Sequence, residues 1–492
     1  MIKDKLLLSL GFSCALSLVA NAEKKPNVVF IIADDLAYNA MADLGDDIIE
    51  TPNLDRLRKS GAYFTHAFNQ GAYSPAVSLA SRTMLNTGKY IWRVPARKGK
   101  KQAGTEAEPT KFWGNYMQEA GYKTYMAGKW HVSTAATTIF NVTKNVRSGM
   151  PKTNNSAYAA SEKNAVGRAF DPKKKDKWSA SDKSIGGYWE GGKHWSEVLK
   201  DDALGFFKQA SKDKDPYFMY LGFNAPHDPR QSPQEFLDKY KAEDIAVPKS
   251  FMPVYKHNVE MGAPSTSLRD ERLLPYPRTE YSVQVSRKEY YALITHMDVQ
   301  IGIMLDALEK AGQMKDTYII FTADHGLSLG GHGLAGKQNM YDETMRVPLF
   351  ISGPGIKAGT TVDGMVYLQD AMATALEIAG SDAVNQVDFK SLLSLAKGAK
   401  TSDAVNDAVY GAYQNLQRMV RSEEYKMILY PKANAVKLFN IKKDPNELND
   451  LAGDKKYSKT MDELFAKLLE LQAKTGDKFN IKPCYEAFKA AN

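Results

Sequence analysis

The chain has 492 residues, 43% of them apolar and 25% charged, the proportions of a folded globular protein with enough chain for a large core. Its formal charge of +8 is small for this length and includes no long block of one sign, so it admits anionic substrates but gives no ground for nucleic-acid binding. Two cysteines, Cys14 and Cys484, exclude a disulfide framework.

Met1–Ala22 reads as a secretory signal. Lys3 and Lys5 precede an apolar core, Leu6–Val19, and Ala20-Asn21-Ala22 has the form of a cleavage site. No later stretch is long and apolar enough to span a bilayer. The expectation is an exported protein without stable membrane insertion.

Val28–Ile32 is a continuous β-branched and aromatic run, as in a strand buried on both faces. It leads into Asp34-Asp35. Adjacent carboxylates there repel each other and lose hydration, and a bound cation relieves both problems. Their hard oxygens suit Ca²⁺ or Mg²⁺. Two loop acids capping the next element are the alternative. Thr51-Pro52 then marks a helix start, with Gly61 closing it.

Ser74–Tyr90 places Ser78 where a helix begins and Arg82 about one turn later, with the helix ending near Thr87-Gly88. A helix N-terminus favours a bound oxyanion; a Ser-rich cap with a solvated Arg is the alternative. Thr110–Gly121 reads as a helix and Lys123–Ala127 as a strand. Gly128-Lys129-Trp130-His131 follows, and in extended chain its spacing points Lys129 and His131 to one side.

Val132–Lys193 lacks periodicity and reads as an insertion at the rim of a site, closed by Lys193, His194 and Trp195, which read as ordinary surface residues, with contact to a sugar as the alternative. A helix at Trp195–Ala210 and a strand at Tyr217–Phe223 lead to the loop Asn224–Pro229. His227 in that loop is a candidate general acid, and Arg230 is a weaker candidate nearby. Lys249–Thr279 is Pro-rich, with Arg269, Arg272 and Arg278 as a candidate wall for an acidic sugar or as solvated loop charge. Lys288–Lys310 is an amphipathic helix with a structural His296. Thr317–Ala323 is another buried strand, ending in Asp324-His325-Gly326; His332 and Lys337 follow. A helix is expected at Asp363–Gly380, strand segments at Met419–Tyr430 and Lys437–Asn440, and a last helix at Lys456–Thr475.

Three expected strands thus end in polar clusters. Ligand sites of open α/β sheets lie outside the carboxyl ends of the strands, so Asp34, Asp35, His227, Asp324 and His325 are expected to converge.

Ser78, Ala80, Arg82, Leu85, Thr87 and Gly88 together resemble the signature of type I, formylglycine-dependent sulfatases of the serine type, within the alkaline-phosphatase-like superfamily. The strand-Asp34-Asp35 start, Thr51-Pro52-Asn53, Gly128-Lys129-x-His131, Pro226-His227, Asp324-His325, Lys337 and Asp444–Leu451 follow that family's order from Lys25 to Asp477. Ser78 stands where Cys is commoner, Ala80 where Pro is commoner, and His325 where many members have Asn. The chain is similar to polysaccharide and iduronate-type sulfatases.

The resemblance implies an α/β fold like that of alkaline phosphatase: a large mixed β-sheet flanked by helices, with a smaller C-terminal subdomain of antiparallel sheet plus helix. The implied division is signal 1–22, catalytic domain 23–380 and C-terminal subdomain 381–492. It implies that Ser78 is oxidised to formylglycine, whose hydrate attacks sulfur, and that Arg82, Lys129, His131, His227 and Lys337 surround the sulfate. His227 is the implied acid for the leaving alcohol, and His131 the implied base for expelling sulfate. Asp34, Asp35, Ser78, Asp324 and His325 are the implied metal ligands, for Ca²⁺ ahead of Mg²⁺. A radical maturase that makes formylglycine is the implied partner, and a sulfated polysaccharide or its oligosaccharides the implied substrate, met in the periplasm or outside a bacterium. The rival readings are a phosphatase or phosphodiesterase of the same superfamily using unmodified Ser78, and an inactive glycan-binding relative. Lys129 and Lys337 stand where a two-metal enzyme needs further ligands, which favours sulfate.

Overall fold

The computed structural model describes residues 24–94, 111–151, 168, 170–174 and 178–492. The signal expected at Met1–Ala22 and part of the expected insertion lie outside them. The strands in chain order are β1 (Asn27–Ala33), β2 (Ala62–Phe68), β3 (Gly71–Ala72), β4 (Lys123–Lys129), β5 (Val142–Arg147), β6 (Trp189–Glu190), β7 (Lys193–His194), β8 (Tyr217–Gly222), β9 (Thr317–Ala323), β10 (Arg346–Val347), β11 (Leu349–Ser352), β12 (Thr360–Tyr367), β13 (Ala408–Tyr413), β14 (Gln417–Ser422), β15 (Tyr425–Tyr430) and β16 (Ala435–Asn440).

Within the large mixed sheet, β5, β4, β8, β1 and β9 run parallel side by side. Beyond β9, β11 is antiparallel to both β9 and β2, and β12 lies parallel to β2. Every residue of β1 is buried, which is why its sequence shows no apolar-polar alternation: a central parallel strand is covered on both faces. Phe30 of β1 packs on Trp113, their rings 4.8 Å apart. Trp113 starts the helix Trp113–Glu119, which touches the helices Val77–Thr87 and Asp370–Ile378. A second set, Pro52–Lys59, Trp195–Ala210 and Glu280–Lys310, packs together elsewhere on the sheet.

The smaller sheet has the order β16-β15-β14-β13-β3. Its C-terminal strands are antiparallel, as expected, but its fifth strand comes from far upstream: β3 pairs parallel with β13, Gly71 opposite Ala412. The helices Ser458–Thr475 and Lys482–Ala491 cover one face through Leu464, Leu468, Leu471 and Tyr485.

Several boundaries differ from expectation. The long helix starts at Glu280, where the Thr279 side chain accepts the Ser282 N–H at 3.2 Å. Asp363 to Tyr367 belong to β12, and the following helix starts only at Asp370. Part of the expected insertion forms β5, an edge strand. The helix Pro52–Lys59 is not capped by the Thr51 side chain. Asp298, on the long helix, accepts the N–H of Leu54 at 2.7 Å and that of Asn53 at 3.1 Å. No helix among the described residues is long and apolar enough to cross a membrane.

Candidate active site

β1, β9, β8 and β4 all end at the same edge of the sheet, and their parallel registers put the polar residues that follow next to one another. Ala33 lies opposite Ala323, so Asp34 and Asp324 are neighbours. The Asp324 N–H donates to Ala33 O at 3.1 Å, and the Asp34 N–H to Ala225 O at 3.0 Å. Asp35 takes a left-handed φ of 66°, and its N–H donates to Asp324 Oδ1 at 3.2 Å.

Ser78 is the second residue of the helix Val77–Thr87, almost wholly buried, and its hydroxyl donates to Asp34 Oδ1 at 2.9 Å. Arg82, one turn on and fully buried, reaches Asp324 Oδ2 through Nε and Lys129 O through Nη1, both at 2.8 Å. This approach requires Gly222 in β8: a Cβ there would sit 2.3 Å from Lys129 O and 3.2 Å from Arg82 Nη1. Gly88 ends the helix at φ 65°, as the sequence suggested, and a Cβ on it would meet Val387 at 2.4 Å.

Two lysines face the paired carboxylates. Lys129 Nζ contacts Asp34 Oδ2, and Lys337 Nζ lies 2.6 and 2.5 Å from the two oxygens of Asp35. His227 Nε2 is 3.6 Å from Asp35 Oδ2. Its Nδ1 donates to Asp228 O at 2.8 Å and lies 3.1 Å from Asp228 Oδ1. Asp228 is itself ion-paired with Arg269. Neither Asp228 nor this pair was read from the sequence, although Asp228 adjoins the candidate acid in an Asp-Pro turn.

Burial dominates the ionisation of the cluster. It raises the Asp34 carboxyl, yet Lys129, His227, Lys337 and Arg82 outweigh it and hold the group well below the usual carboxylate range. Burial raises Asp35 above that range, with Lys337 and His227 only partly offsetting it. Burial pulls Lys129 down, and it holds His227 down to about 4, Lys337 adding to the effect. The His131 imidazole falls to about 2 through burial, then through Lys129 and Arg82. His131 therefore belongs to the same cationic cluster, but a left-handed φ of 52° ends the extended chain at it, its Nδ1 has no partner among the described residues, and its ring packs on Gly149.

The carboxylates Asp34, Asp35 and Asp324 face the cationic groups Arg82, Lys129 and Lys337. Ligand atoms of Asp34, Asp35 and His227 all lie within 4.8 Å of one another. Buried oxygens of like charge with an imidazole beside them fit a divalent cation. Asp324 adjoins this group, its oxygens engaged by Arg82 and the Asp35 N–H. His325 is buried, with Nδ1 directed to Gly326 O at 3.1 Å. With a divalent cation added, the charge count turns positive, which suits an anionic ester.

Other expected residues lie elsewhere. His332 stacks on Tyr341 at 3.6 Å and lines a cavity of about 280 Å³ with Tyr38, Tyr290 and Glu343. His194 is fully buried rather than a surface residue. It caps the helix Trp195–Ala210, with Nδ1 accepting the Ser196 N–H at 3.1 Å. His296 is structural as expected, packed against the His194 ring. Arg278 is buried against Glu271.

A family profile described as Sulfatase matches residues 26–381, and a second, the C-terminal region of N-sulphoglucosamine sulphohydrolase, matches residues 330–474. The chain belongs to the sulfatase family. This sulfatase is a sulfuric ester hydrolase by membership, and its fold is the expected alkaline-phosphatase-like one. It is similar to an N-acetylglucosamine-6-O-sulfatase of Bacteroides thetaiotaomicron, 26% identical over 92% of this chain and 87% of the relative. A solved structure of a protein bound to its substrate D-glucosamine-2-N,6-O-disulfate superposes with a TM-score of 0.68 at 22% identity, covering 92% of this chain and 99% of that one. A phosphonate monoester hydrolase from Silicibacter pomeroyi superposes at 0.71 and 21% identity, covering 92% and 96%; the likeness of both structures concerns the fold.

Proposed function

We propose that this sulfatase removes sulfate esters from a sulfated polysaccharide or its oligosaccharides, using Ser78 oxidised to formylglycine and one divalent cation, preferably Ca²⁺, in an exported bacterial protein. The observation that carries the reading is the Ser78 hydroxyl on Asp34, buried among Lys129, Lys337 and Arg82. Asp34 and Asp35 would hold the cation, with His227 the nearest imidazole and Asp324 and His325 the further ligands that the family pattern implies. The cation would supply positive charge for the ester's oxygens. Formylglycine would supply a geminal diol, so that one hydroxyl attacks sulfur and the other later expels sulfate.

The chain's own residues do the rest. Arg82 holds Asp324 and the Lys129 carbonyl in place and fixes the floor of the site. Lys129 and Lys337 are positive groups placed to bind sulfate oxygens as charge builds on them. His227, its Nδ1–H held by the Asp228 backbone, turns Nε2 toward Asp35. Nε2 is unprotonated at rest, and as the acid that the family pattern implies it would first take up a proton beside the bound sulfate and then pass it to the departing alcohol. His131 would be the base that takes the proton of the remaining hydroxyl, the role the family pattern implies.

Peptide mass spectrometry across Ser78, on protein made with a serine-type maturase, tests the reading. Loss of two hydrogens at Ser78, with sulfate release from a sulfated glycan, is the expected result. Unmodified Ser78 in protein that hydrolyses phosphate esters would sink it in favour of the phosphatase reading.

A further inference from the structure

Five arginines are buried among the described residues: Arg82, Arg230, Arg278, Arg418 and Arg421. Four are matched to a carboxylate: Arg82 to Asp324, Arg278 to Glu271, Arg418 to Asp477 and Arg421 to Asp342. Arg230, 4% exposed, has no ion pair or hydrogen bond among the described residues. Its Nε is cut off from solvent without an acceptor. A guanidinium cannot shed its proton in a protein, so burial without an anion is costly. The other four follow the rule that buried charge is paired; the fifth lacks its partner.

Its position says where that partner would come from. Arg230 lies three residues after His227, on the loop at the carboxyl end of β8, the edge where the catalytic groups gather. Its charge also acts on Tyr290, whose hydroxyl donates to Asp35 O at 2.6 Å and accepts the Ala37 N–H at 3.0 Å. Arg230 therefore lies by the carboxylate loop, next to the groups gathered at that edge.

We propose that Arg230 is a specificity-determining residue that binds a second anionic group of the substrate, a carboxylate or a further sulfate on or next to the sugar that carries the scissile ester. The guanidinium fork matches either oxyanion with two parallel hydrogen bonds. A neutral sugar would leave the charge unmatched, and an anionic one would complete it, so the preference follows from the site's own deficit. This inference rests on the reading of the site as one for sulfate esters.

The test uses the full chain with Ser78→Ala, which cannot be matured, alone and combined with Arg230→Gln or Arg230→Lys. Selenate soaked into crystals and located by anomalous scattering should sit within hydrogen-bond reach of Arg230 and be lost in the Gln variant. Calorimetric titration then compares N-acetylglucosamine 6-O-sulfate with glucosamine 2-N,6-O-disulfate and with the 6-O-sulfate joined to glucuronate. The expected result is binding at least tenfold tighter for one of the doubly anionic probes. The probe that gains identifies the second group as sulfate or carboxylate. Arg230→Gln should abolish that gain, change the singly charged probe less than twofold and leave the melting temperature equal or higher, because it removes an unmatched buried charge. Arg230→Lys should retain part of the gain.

Absence of selenate, selenate with no preference among the probes (an adventitious ion only), or a preference that survives Arg230→Gln overturns the proposal. A melting temperature lowered by Arg230→Gln, with the probes unaffected, assigns Arg230 to structure and also overturns it. Neither measurement needs turnover, so failure of Ser78 oxidation, which would defeat the proposed function, is read separately.

Discussion

Lys337 Nζ lies within 2.6 Å of both carboxylate oxygens of Asp35, two residues that the chain separates by almost its whole catalytic region. The ammonium thus occupies the same oxygens that a divalent cation would use. Lys337→Ala is expected to lower kcat/KM for a sulfate ester by about 100-fold or more, the usual effect of losing one preorganised donor. The same change should tighten Ca²⁺ binding to chelator-treated protein, since one positive charge has been removed. Titration calorimetry and steady-state kinetics on one preparation check both; weaker Ca²⁺ binding would show that the lysine supports the cation instead of competing with it.

Asp228 stands behind His227: its backbone O accepts Nδ1–H, and its carboxylate Oδ1 lies 3.1 Å from the same nitrogen. Asp228→Asn should reduce kcat by about tenfold, the scale of lost second-layer support for a functional imidazole, with KM changed less than twofold. The backbone Asp228 O keeps one bond to Nδ1, which limits the loss. A change confined to KM would place Asp228 in substrate binding.

The helix Pro52–Lys59 depends on a carboxylate from another helix. Asp298 takes the N–H groups of Asn53 and Leu54, donors that an isolated helix start leaves open. Asp298→Ala is expected to destabilise the protein by about 3 kcal/mol, through buried donors left without an acceptor. Asp298→Asn keeps one oxygen and should cost less. Thermal and denaturant unfolding read both variants.

His194 gives a pH dependence away from the active site. Nδ1 accepts the Ser196 N–H and Nε2 donates to Gln231 O at 3.0 Å, so the ring is neutral in the folded state. Burial, reinforced by His296, holds its pKa well below the ordinary value of 6.5. A lowered folded value means that the unfolded chain binds the proton more readily. The contribution to stability is therefore complete above about pH 6.5 and is lost as pH falls below it, at up to about 1.4 kcal/mol per pH unit. His194→Asn, which can still cap the helix, should flatten that part of the profile between pH 7 and pH 5. An unchanged slope would show that other groups set it.

Much of the site was legible because parallel strands with unbroken apolar runs announce themselves, and the chain leaves each one at the same edge. That Asp34, Asp35, Asp324 and His227 come to one edge could be read from that fact alone. The Asp228–Arg269 pair could not, since nothing local to either residue names the other. β5 was missed because an exposed edge strand has no covered face to impose a pattern; its residues are exposed or only half-buried. Asp363 to Tyr367 read as helix because their apolar residues suit either period, and pairing with β2 decided for strand. Arg230 read only as a weaker candidate beside His227, because burial of a loop side chain leaves no mark in the local sequence. His194 looked like surface because its neighbours are polar, and only the packed rings around it reveal the interior.

β3 joins the smaller sheet only when Ala412 and Tyr413 are in place beside Gly71 and Ala72, and the helix carrying Ser78 begins five residues after β3 ends. During synthesis the nucleophile segment therefore emerges long before the strand that anchors its approach. A chain still on the ribosome, or one cut before β13, has every catalytic side chain named above and no fixed path leading to Ser78. Completion of the active centre is tied to completion of the polypeptide, so abortive fragments are expected to be inert.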